Sequence, residues 1–565
     1  MTSPISKLAR ILLHPATVTG TLIAVTAGLY RLEGHASHMP FVLFVAGTMA
    51  AVLFLMSRRA AFSLYAAAAT VSLIAIASFI KYRLMGFGLH VFDFVFTGLD
   101  PAAMVFLAKE YAFVVVPFLS MLVLGIVTLV WLARVGPKSD LPWWTRGILA
   151  TAVAFCLFPS YPLSADQNRE RYYVGGFDAS TFFVSMLDLQ HLVTDTQLTK
   201  RLAGQPPQPP YPAETGCAES GRRPDIFLVL SESQMSPAYF PELAEAQALA
   251  PNFLSQDGRL HPLQVETFGG GTWMSNLSVM TGLSTADFGF QAPYLTAVLE
   301  GKLGGALPEM LAACGYRTAA ILPVEKSFVN EGRFLKSIGF QTVLGREDIG
   351  ATQEVERDDF YFHAAEEFLR NHRETDGRPL FLAMQTLFSH APYNDALSAE
   401  AGGGAQRFSS DPIIQEYFSR VALSRADVAG YRAVIEQETG PRGSVVVEYG
   451  DHHPYFTKPM ADKLAKGNAL ADLGSIAYRT FASVHAYRYD LDMRAFGDGP
   501  LDIGFLGPAL IEAAHLPASP MYKELIALKE LCNGKFHACK DRAAIDRHLR
   551  RRVDSGMLRL FGPAS

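Results

Sequence analysis

The chain has 565 residues, of which 50% are hydrophobic and 18% charged, with a net charge of −5. That length exceeds what a single hydrophobic core serves, so more than one domain is expected. The acidic balance leaves no basic surface for a polyanion and argues against nucleic acid as a partner.

Five apolar runs open the chain, at residues 11–30, 40–56, 60–80, 111–133 and 147–163. Each is long enough to cross ~30 Å of hydrocarbon at ~1.5 Å per residue, which predicts a domain of five transmembrane helices over 1–163. The first run follows Lys7 and Arg10, as a signal sequence would. Its length, the lack of a clear small-residue cleavage site and the four runs behind it favour a span. Lys7, Arg10, Arg58, Arg59, Arg134, Lys138 and Arg146 flank one side, and Arg31, Lys81, Arg83 and Lys109 the other. The excess places the amino terminus in the cytoplasm, and five crossings carry the remainder outside.

Between the third and fourth runs, Leu84, Phe87, Leu89, Val91, Phe92, Phe94 and Phe96 form an aromatic stretch too short to span. It reads equally as an interfacial segment or as a packed or re-entrant loop. Trp143 and Trp144 beside Arg146 suit an interfacial belt. A polar stretch at 164–171 then leaves the membrane, and Gly204-Gln205-Pro206-Pro207-Gln208-Pro209-Pro210 reads as a semi-rigid spacer. Residues 164–223 are therefore expected to be a juxtamembrane linker.

From 224 to 565 the pattern changes. Strand-length apolar runs at 225–230, 317–322, 379–387 and 444–449 alternate with helical spacing at 304–313, 360–370 and 413–436. Continuous apolar strands between helices predict an α/β domain around a mainly parallel sheet covered on both faces. Its reactive residues fall at strand ends: Ser231-Glu232-Ser233 after the first, Ser389-His390 after the third, Gly450-Asp451-His452 after the fourth. In open α/β sheets ligands collect at the carboxyl ends of strands.

Singly, Glu232 is more often a cap, Gly450-Asp451 a turn, and His390 a hydrogen-bonded loop histidine. Two carboxylates and an imidazole converging on one point make a divalent-cation site. Thr272 follows Gly269-Gly270-Gly271 and precedes a helical stretch at 273–280. A threonine hydroxyl becomes a nucleophile once its ionised form is stabilised, and a helix amino terminus favours both that anion and a phosphate. Taken alone, the glycines describe only a flexible loop.

Together these motifs, with Met280-Thr281-Gly282-Leu283 and Phe388-Ser389-His390-Ala391-Pro392-Tyr393, resemble the lipoteichoic acid synthase family of the alkaline phosphatase and sulfatase superfamily. The likeness runs from Lys7 to about Phe456. It implies that Glu232, Thr272, Asp451 and His452 bind one metal, Mn2+ with Mg2+ or Zn2+ as alternatives. It further implies a multi-pass protein of the bacterial inner membrane with its catalytic domain in the periplasm. Thr272 would form a phospho-enzyme, His390 would contact the substrate phosphate, and a phospholipid such as phosphatidylglycerol would be the donor to a glycan or lipid acceptor.

One departure bears on the transferred group. Polymerising synthases place histidine, tryptophan and arginine where this chain has Leu322, Val329 and Glu331. Lys326, Asn330 and Arg333 are the substitutes offered, each also readable as a solvated helix start. Phosphoethanolamine transfer or phosphoester hydrolysis is therefore the alternative activity, and a non-catalytic sensor or interaction protein the alternative of another class. A sulfatase is disfavoured because no Cys/Ser-x-Pro-x-Arg occurs. Cys532 and Cys539 are spaced for a disulfide in an oxidising compartment, in preference to a zinc site with His537.

Overall fold

The computed structural model describes residues 4–33, 38–85, 88–97, 112–157, 179–186, 189, 197–212, 221–404 and 406–560. Lys109, the stretch 164–171 and Cys217 lie outside them. The chain divides into two compact units, Met1–Thr194 and Asp195–Ser565.

The first unit is helical. Its described helices include Pro15–Leu32, Met39–Ser57, Ala60–Met85, Ala112–Val135 and Trp143–Leu157. Among the described residues, three stretches, Met39–Ser57, Ala60–Tyr82 and Val115–Val135, are long and apolar enough to cross a membrane by length and composition. The expected first span is interrupted near its start: Pro15 opens a new helix, capped by His14 Nδ1 accepting from the Ala16 amide at 3.3 Å. Thr17, Thr19, Thr21 and Thr26 dilute its apolar character. The fifth helix is described only to Leu157. Leu29, Met39, Val42, Val71 and Ala75 form a buried cluster between helices of this unit. In the aromatic stretch after the third run, His90 and Phe92 are buried while Phe94 is exposed. Lys81 Nζ holds that loop through the Asp93 carboxylate (2.7 Å) and the Gly88 carbonyl (3.1 Å). Among the described side chains of that stretch Phe92 is packed and Phe94 lies outside, while Phe87 falls outside the described residues.

The second unit is built on an eight-stranded sheet of order β4-β3-β5-β1-β6-β7-β2-β8. The strands are β1 Asp225–Ser231, β2 His261–Gln264, β3 Arg317–Ile321, β4 Thr342–Leu344, β5 Leu380–Gln385, β6 Ser444–Gly450, β7 Arg479–Tyr487 and β8 Leu501–Asp502. Every residue of the central strands β5, β1 and β6 is buried, as expected of a sheet covered on both faces. β7 is antiparallel to its neighbours β6 and β2, and the remaining pairs are parallel. Helices Asp358–Thr375 and Pro412–Glu438 supply Tyr361, Phe362, Leu369, Val428 and Tyr431 to a core shared with Phe227, Val229 and Leu382 of the sheet. Asp411 starts the second of these, its carboxylate accepting from the Ile413 amide at 2.8 Å.

The expected spacer at 204–210 is docked rather than free within this unit. The helix Arg542–Asp554 holds it: Asp554 Oδ2 accepts from Gln208 N (2.8 Å), Arg551 Nε donates to Pro209 O (2.9 Å), and the Arg551 guanidinium lies 4.3 Å from the Tyr211 ring centre. Cys532 and Cys539 form a disulfide, and Cys314 is also disulfide-bonded.

Candidate active site

β1 and β6 are adjacent and in register, with Ser231 opposite Gly450. The next residues, Glu232 and Asp451, therefore emerge side by side at the carboxyl edge of the sheet. Gly450 has to be small: a Cβ there would stand 2.1 Å from the Gln234 carbonyl oxygen. The chain crosses itself tightly at that point, so Asp451 is aimed by backbone packing.

Ligand atoms of Glu232, Asp451 and His452 all lie within 4.8 Å of one another, and the three side chains are buried. His452 Nε2 is 3.2 Å from Asp451 Oδ2 and 3.5 Å from Glu232 Oε1. Its Nδ1 faces the His453 carbonyl at 3.0 Å, which fixes the ring and leaves Nε2 for the centre. Ser233 holds both carboxylates, its amide donating to Asp451 Oδ1 (2.7 Å) and its hydroxyl to Glu232 Oε1 (2.8 Å).

Thr272 completes the group. It is the first residue of the helix Thr272–Thr281, and its Oγ1 donates to Glu232 Oε2 at 2.8 Å. Gly271 has φ +90°, and a Cβ on it would meet Met274 Cε at 2.4 Å and Thr267 Oγ1 at 2.6 Å. Glycine is thus required for the turn that delivers the hydroxyl, and it adds no capping side chain at the helix amino terminus. Ser275, one turn on, donates to the Asp451 carbonyl at 2.7 Å and ties this helix to the β6 loop.

The electrostatics show what the cluster lacks. Burial pushes Asp451 above the usual carboxylate range, and the Glu232 charge adds to the shift. Burial opposes ionisation of Glu232 as well, but the close approach and charge of His452 hold it below its usual value. His452 is raised, because the Asp451 charge and the contact with Glu232 overcome the burial that disfavours its cation. Asp451 Oδ2 and His452 Nε2 are buried without a hydrogen-bond partner, which costs on the order of 1–3 kcal/mol per group unless something else satisfies it. These two atoms, with the carboxylate of Glu232 and the hydroxyl of Thr272, make a set of three oxygens and one nitrogen that fits a divalent cation.

His390 follows β5, and its charge helps to lower Glu232. Its Nδ1 contacts the Ala391 carbonyl at 2.5 Å. The loop carrying it is held by Arg420, a fully buried side chain on the helix Pro412–Glu438. Its guanidinium donates to the carbonyls of His390 (2.9 Å), Pro392 (3.0 Å) and Asp395 (3.0 Å), and to Glu416 at 2.7 Å. No local motif marks Arg420, because its partners are backbone carbonyls 25–30 residues away.

The three headgroup candidates are tied elsewhere. Lys326 pairs with Asp348 at 2.6 Å, and Asn330 Nδ2 donates to Glu300 (2.8 Å) and the Thr296 carbonyl (3.2 Å). Arg333 donates to Asn330 Oδ1 at 2.5 Å and lies 3.7 Å from Glu300. Glu331, one of the departures, is buried behind the helix that begins at Thr272, where Asn276 and Gln385 donate to its Oε1 at 2.7 and 2.8 Å. His537 is turned to Glu266, 2.6 Å away.

Residues 224–473 match the family model described as Sulfatase. A protein of Haemophilus influenzae, described as uncharacterized, is 24% identical over 337 residues, covering 57% of this chain and 59% of that protein, so the match spans less than two thirds of the relative's length. Among solved structures, the Streptococcus pyogenes phosphoglycerol transferase GacH in complex with sn-glycerol-1-phosphate is 15% identical, covering 62% of this chain and 92% of that one at a TM-score of 0.47. The lipooligosaccharide phosphoethanolamine transferase EptA of Neisseria meningitidis is 11% identical, covering 89% and 97% at 0.49. The stretch that matches the Sulfatase model begins at β1 and includes Glu232, Thr272, Asp451 and His452.

Proposed function

We propose that this protein is a membrane-anchored phosphotransferase that moves the phosphoglycerol headgroup of phosphatidylglycerol through Thr272 to a periplasmic glycan or similar acceptor. The observation that carries the reading is the Thr272 hydroxyl, 2.8 Å from Glu232 at a helix amino terminus, beside Asp451 and His452. Thr272 Oγ1 attacks the lipid phosphorus, and the bond from phosphorus to the diacylglycerol oxygen breaks. The threonine proton leaves toward Glu232 Oε2, and the departing diacylglycerol oxygen takes up a proton. An acceptor hydroxyl then attacks the same phosphorus and restores Thr272. A divalent cation held by Glu232, Thr272, Asp451 and His452, Mn2+ with Mg2+ or Zn2+ as alternatives, would supply positive charge that favours the ionised hydroxyl and the phosphate. His390 Nε2 holds the phosphate.

The proposed orientation puts the amino terminus in the cytoplasm and the catalytic domain in the periplasm, following the lysine and arginine bias around the apolar runs. Lys326, Asn330 and Arg333 are the proposed headgroup contacts, and each would have to leave an existing partner; the cost is smallest for Arg333, whose side chain is 59% exposed. The second reading is phosphoethanolamine transfer, favoured by Leu322, Val329 and Glu331 in place of the side chains that hold glycerol phosphate in the synthases this chain resembles.

The test uses the full-length protein with lipids radiolabelled in the headgroup. Wild type should acquire covalent label and Thr272→Ala none; label persisting in the variant would remove Thr272 as nucleophile. Mass spectrometry of the labelled peptide distinguishes glycerol from ethanolamine.

A further inference from the structure

Glu331 opens the short helix Glu331–Ser337 and keeps its carboxylate inside the domain, where the residue is 3% exposed. Among the described residues no cation answers it, and the charge that reaches it is that of Glu232. Two side-chain amides hold it instead, Asn276 Nδ2 and Gln385 Nε2, both donating to Oε1. Asn276, Gln385 and Tyr449 are buried with it, and Tyr449 Oη donates to Asn276 Oδ1 at 3.4 Å. Burying a carboxylate away from any cation is costly, and neutral amides offset only part of that cost. A buried polar network whose members are matched rigidifies the elements that it joins.

The elements joined here are those that carry the site. Gln385 ends β5, and the next residue, Thr386, accepts from the Glu232 amide on its Oγ1 at 3.3 Å. Tyr449 comes just before Gly450 and Asp451 at the end of β6. Asn276 lies one turn after Thr272 on the helix Thr272–Thr281, so the two side chains share a face. At ~100° per residue, Ser275 and Asn276 flank the direction of Thr272, roughly 60° to one side and roughly 40° to the other. Ser275 is tied to the Asp451 carbonyl at 2.7 Å and Asn276 to Glu331 at 2.7 Å. The two ties fix the rotation of the helix, and that rotation sets where Thr272 Oγ1 stands against Glu232 Oε2, 2.8 Å away.

We infer that Glu331 is a positioning residue: through Asn276 it holds the helix that begins at Thr272 in the rotation that keeps the threonine hydroxyl against Glu232. This rests on the proposed phosphotransfer and adds to it a residue that touches neither the lipid nor the acceptor.

Full-length enzyme and headgroup-labelled phosphatidylglycerol read the effect. In Glu331→Ala, kcat should fall about thirtyfold, inside the ~100-fold that a misplacement of ~1 Å costs, while the KM for the lipid stays within about twofold of wild type. Glu331→Gln, whose amide oxygen can still accept from both donors, should return to within about threefold of wild type. Asn276→Ala should match Glu331→Ala, and the double variant should lose no more than either alone, because one tie is broken in all three. Asn276→Ala leaves Glu331 in place and carries the same test if Glu331→Ala does not fold. Additive losses would overturn the inference, as would a glutamine variant as slow as the alanine one. A raised KM at unchanged kcat would overturn it too, by placing Glu331 among the headgroup contacts. Hydrogen exchange without lipid gives a reading independent of turnover: the amides of 272–281 should exchange at least about tenfold faster in Glu331→Ala and at the wild-type rate in Glu331→Gln, with the helix Pro412–Glu438 as control. If wild type never labels at Thr272, the phosphotransfer reading fails while exchange still decides whether Glu331 holds the helix. Wild-type protection of 272–281 in Glu331→Ala would refute it.

Discussion

Two corners of the same domain are built by different rules. In the metal corner, Glu232 and Asp451 leave adjacent, fully buried strands, and Ser233, Ser275 and the His453 carbonyl aim every donor inward. In the headgroup corner, Lys326, Asn330 and Arg333 belong to a loop and a short helix whose backbone includes Val329 at φ +43° and Asn330 at φ +61°. Their polar atoms are already matched to Asp348, Glu300 and Thr296. On the proposed reading, chemistry is fixed at the rigid sheet edge, and recognition is left to a segment whose contacts can be exchanged one at a time.

That contrast predicts the largest effect at Asp451. Asp451→Ala removes one of two carboxylates facing His452, so purified protein should lose its bound metal and headgroup transfer should fall by on the order of a thousandfold. Metal content measured by mass spectrometry and activity measured on labelled lipid check it together. Retention of stoichiometric metal would mean that the centre is held by other groups.

The opposite corner should answer weakly. Arg333→Ala should leave kcat unchanged and raise the KM for the lipid donor by no more than about tenfold, the signature of a contact made equally in ground and transition states. A fall in kcat with constant KM would put Arg333 in the chemistry and erase the distinction between the corners.

The same division explains what could be read in advance. β1, β3, β5 and β6 are mostly apolar stretches of five to seven residues, so the strands were legible, and Glu232, His390, Asp451 and His452 could be singled out because they follow three of them. β2, β4 and β8 have four, three and two residues, too few for any period to show. β7 lies beyond Phe456, where no motif guided the eye, and it reverses the sheet direction. Arg420 was invisible for another reason, and so was the buried position of Glu331: both follow from partners chosen by the fold, the His390 carbonyl and the Asn276 amide. In the first unit, apolar length suggested five crossings, and Pro15 with four threonines shows why the first run reads less clearly than the three that meet the length and composition.

The C-terminal segment offers the smallest and most specific test, because it touches the loop before Thr272 without touching the cluster. Between Cys532 and Cys539, His537 Nε2 faces Glu266 Oε1 at 2.6 Å, while Glu266 Oε2 accepts from the Thr285 amide at 2.6 Å. Burial disfavours the His537 cation, but the Glu266 charge and hydrogen bond, with Asp502 and Asp287 behind them, raise it to about 9. A histidine raised above its unfolded value of about 6.5 contributes stability that is complete below that pH and is lost as pH climbs through its folded value. Asp502, pushed by burial to about 6, finishes its own titration below this window. Wild-type melting temperature should therefore fall between pH 7 and pH 9.5 more steeply than that of His537→Gln, whose glutamine can still donate to Glu266. At pH 7 the variant should be less stable by about 1 kcal/mol, a drop of roughly 2–4 °C, and at pH 9.5 the two should converge. Parallel melting curves across that range would show that the pair holds the nucleophile loop by shape rather than by charge.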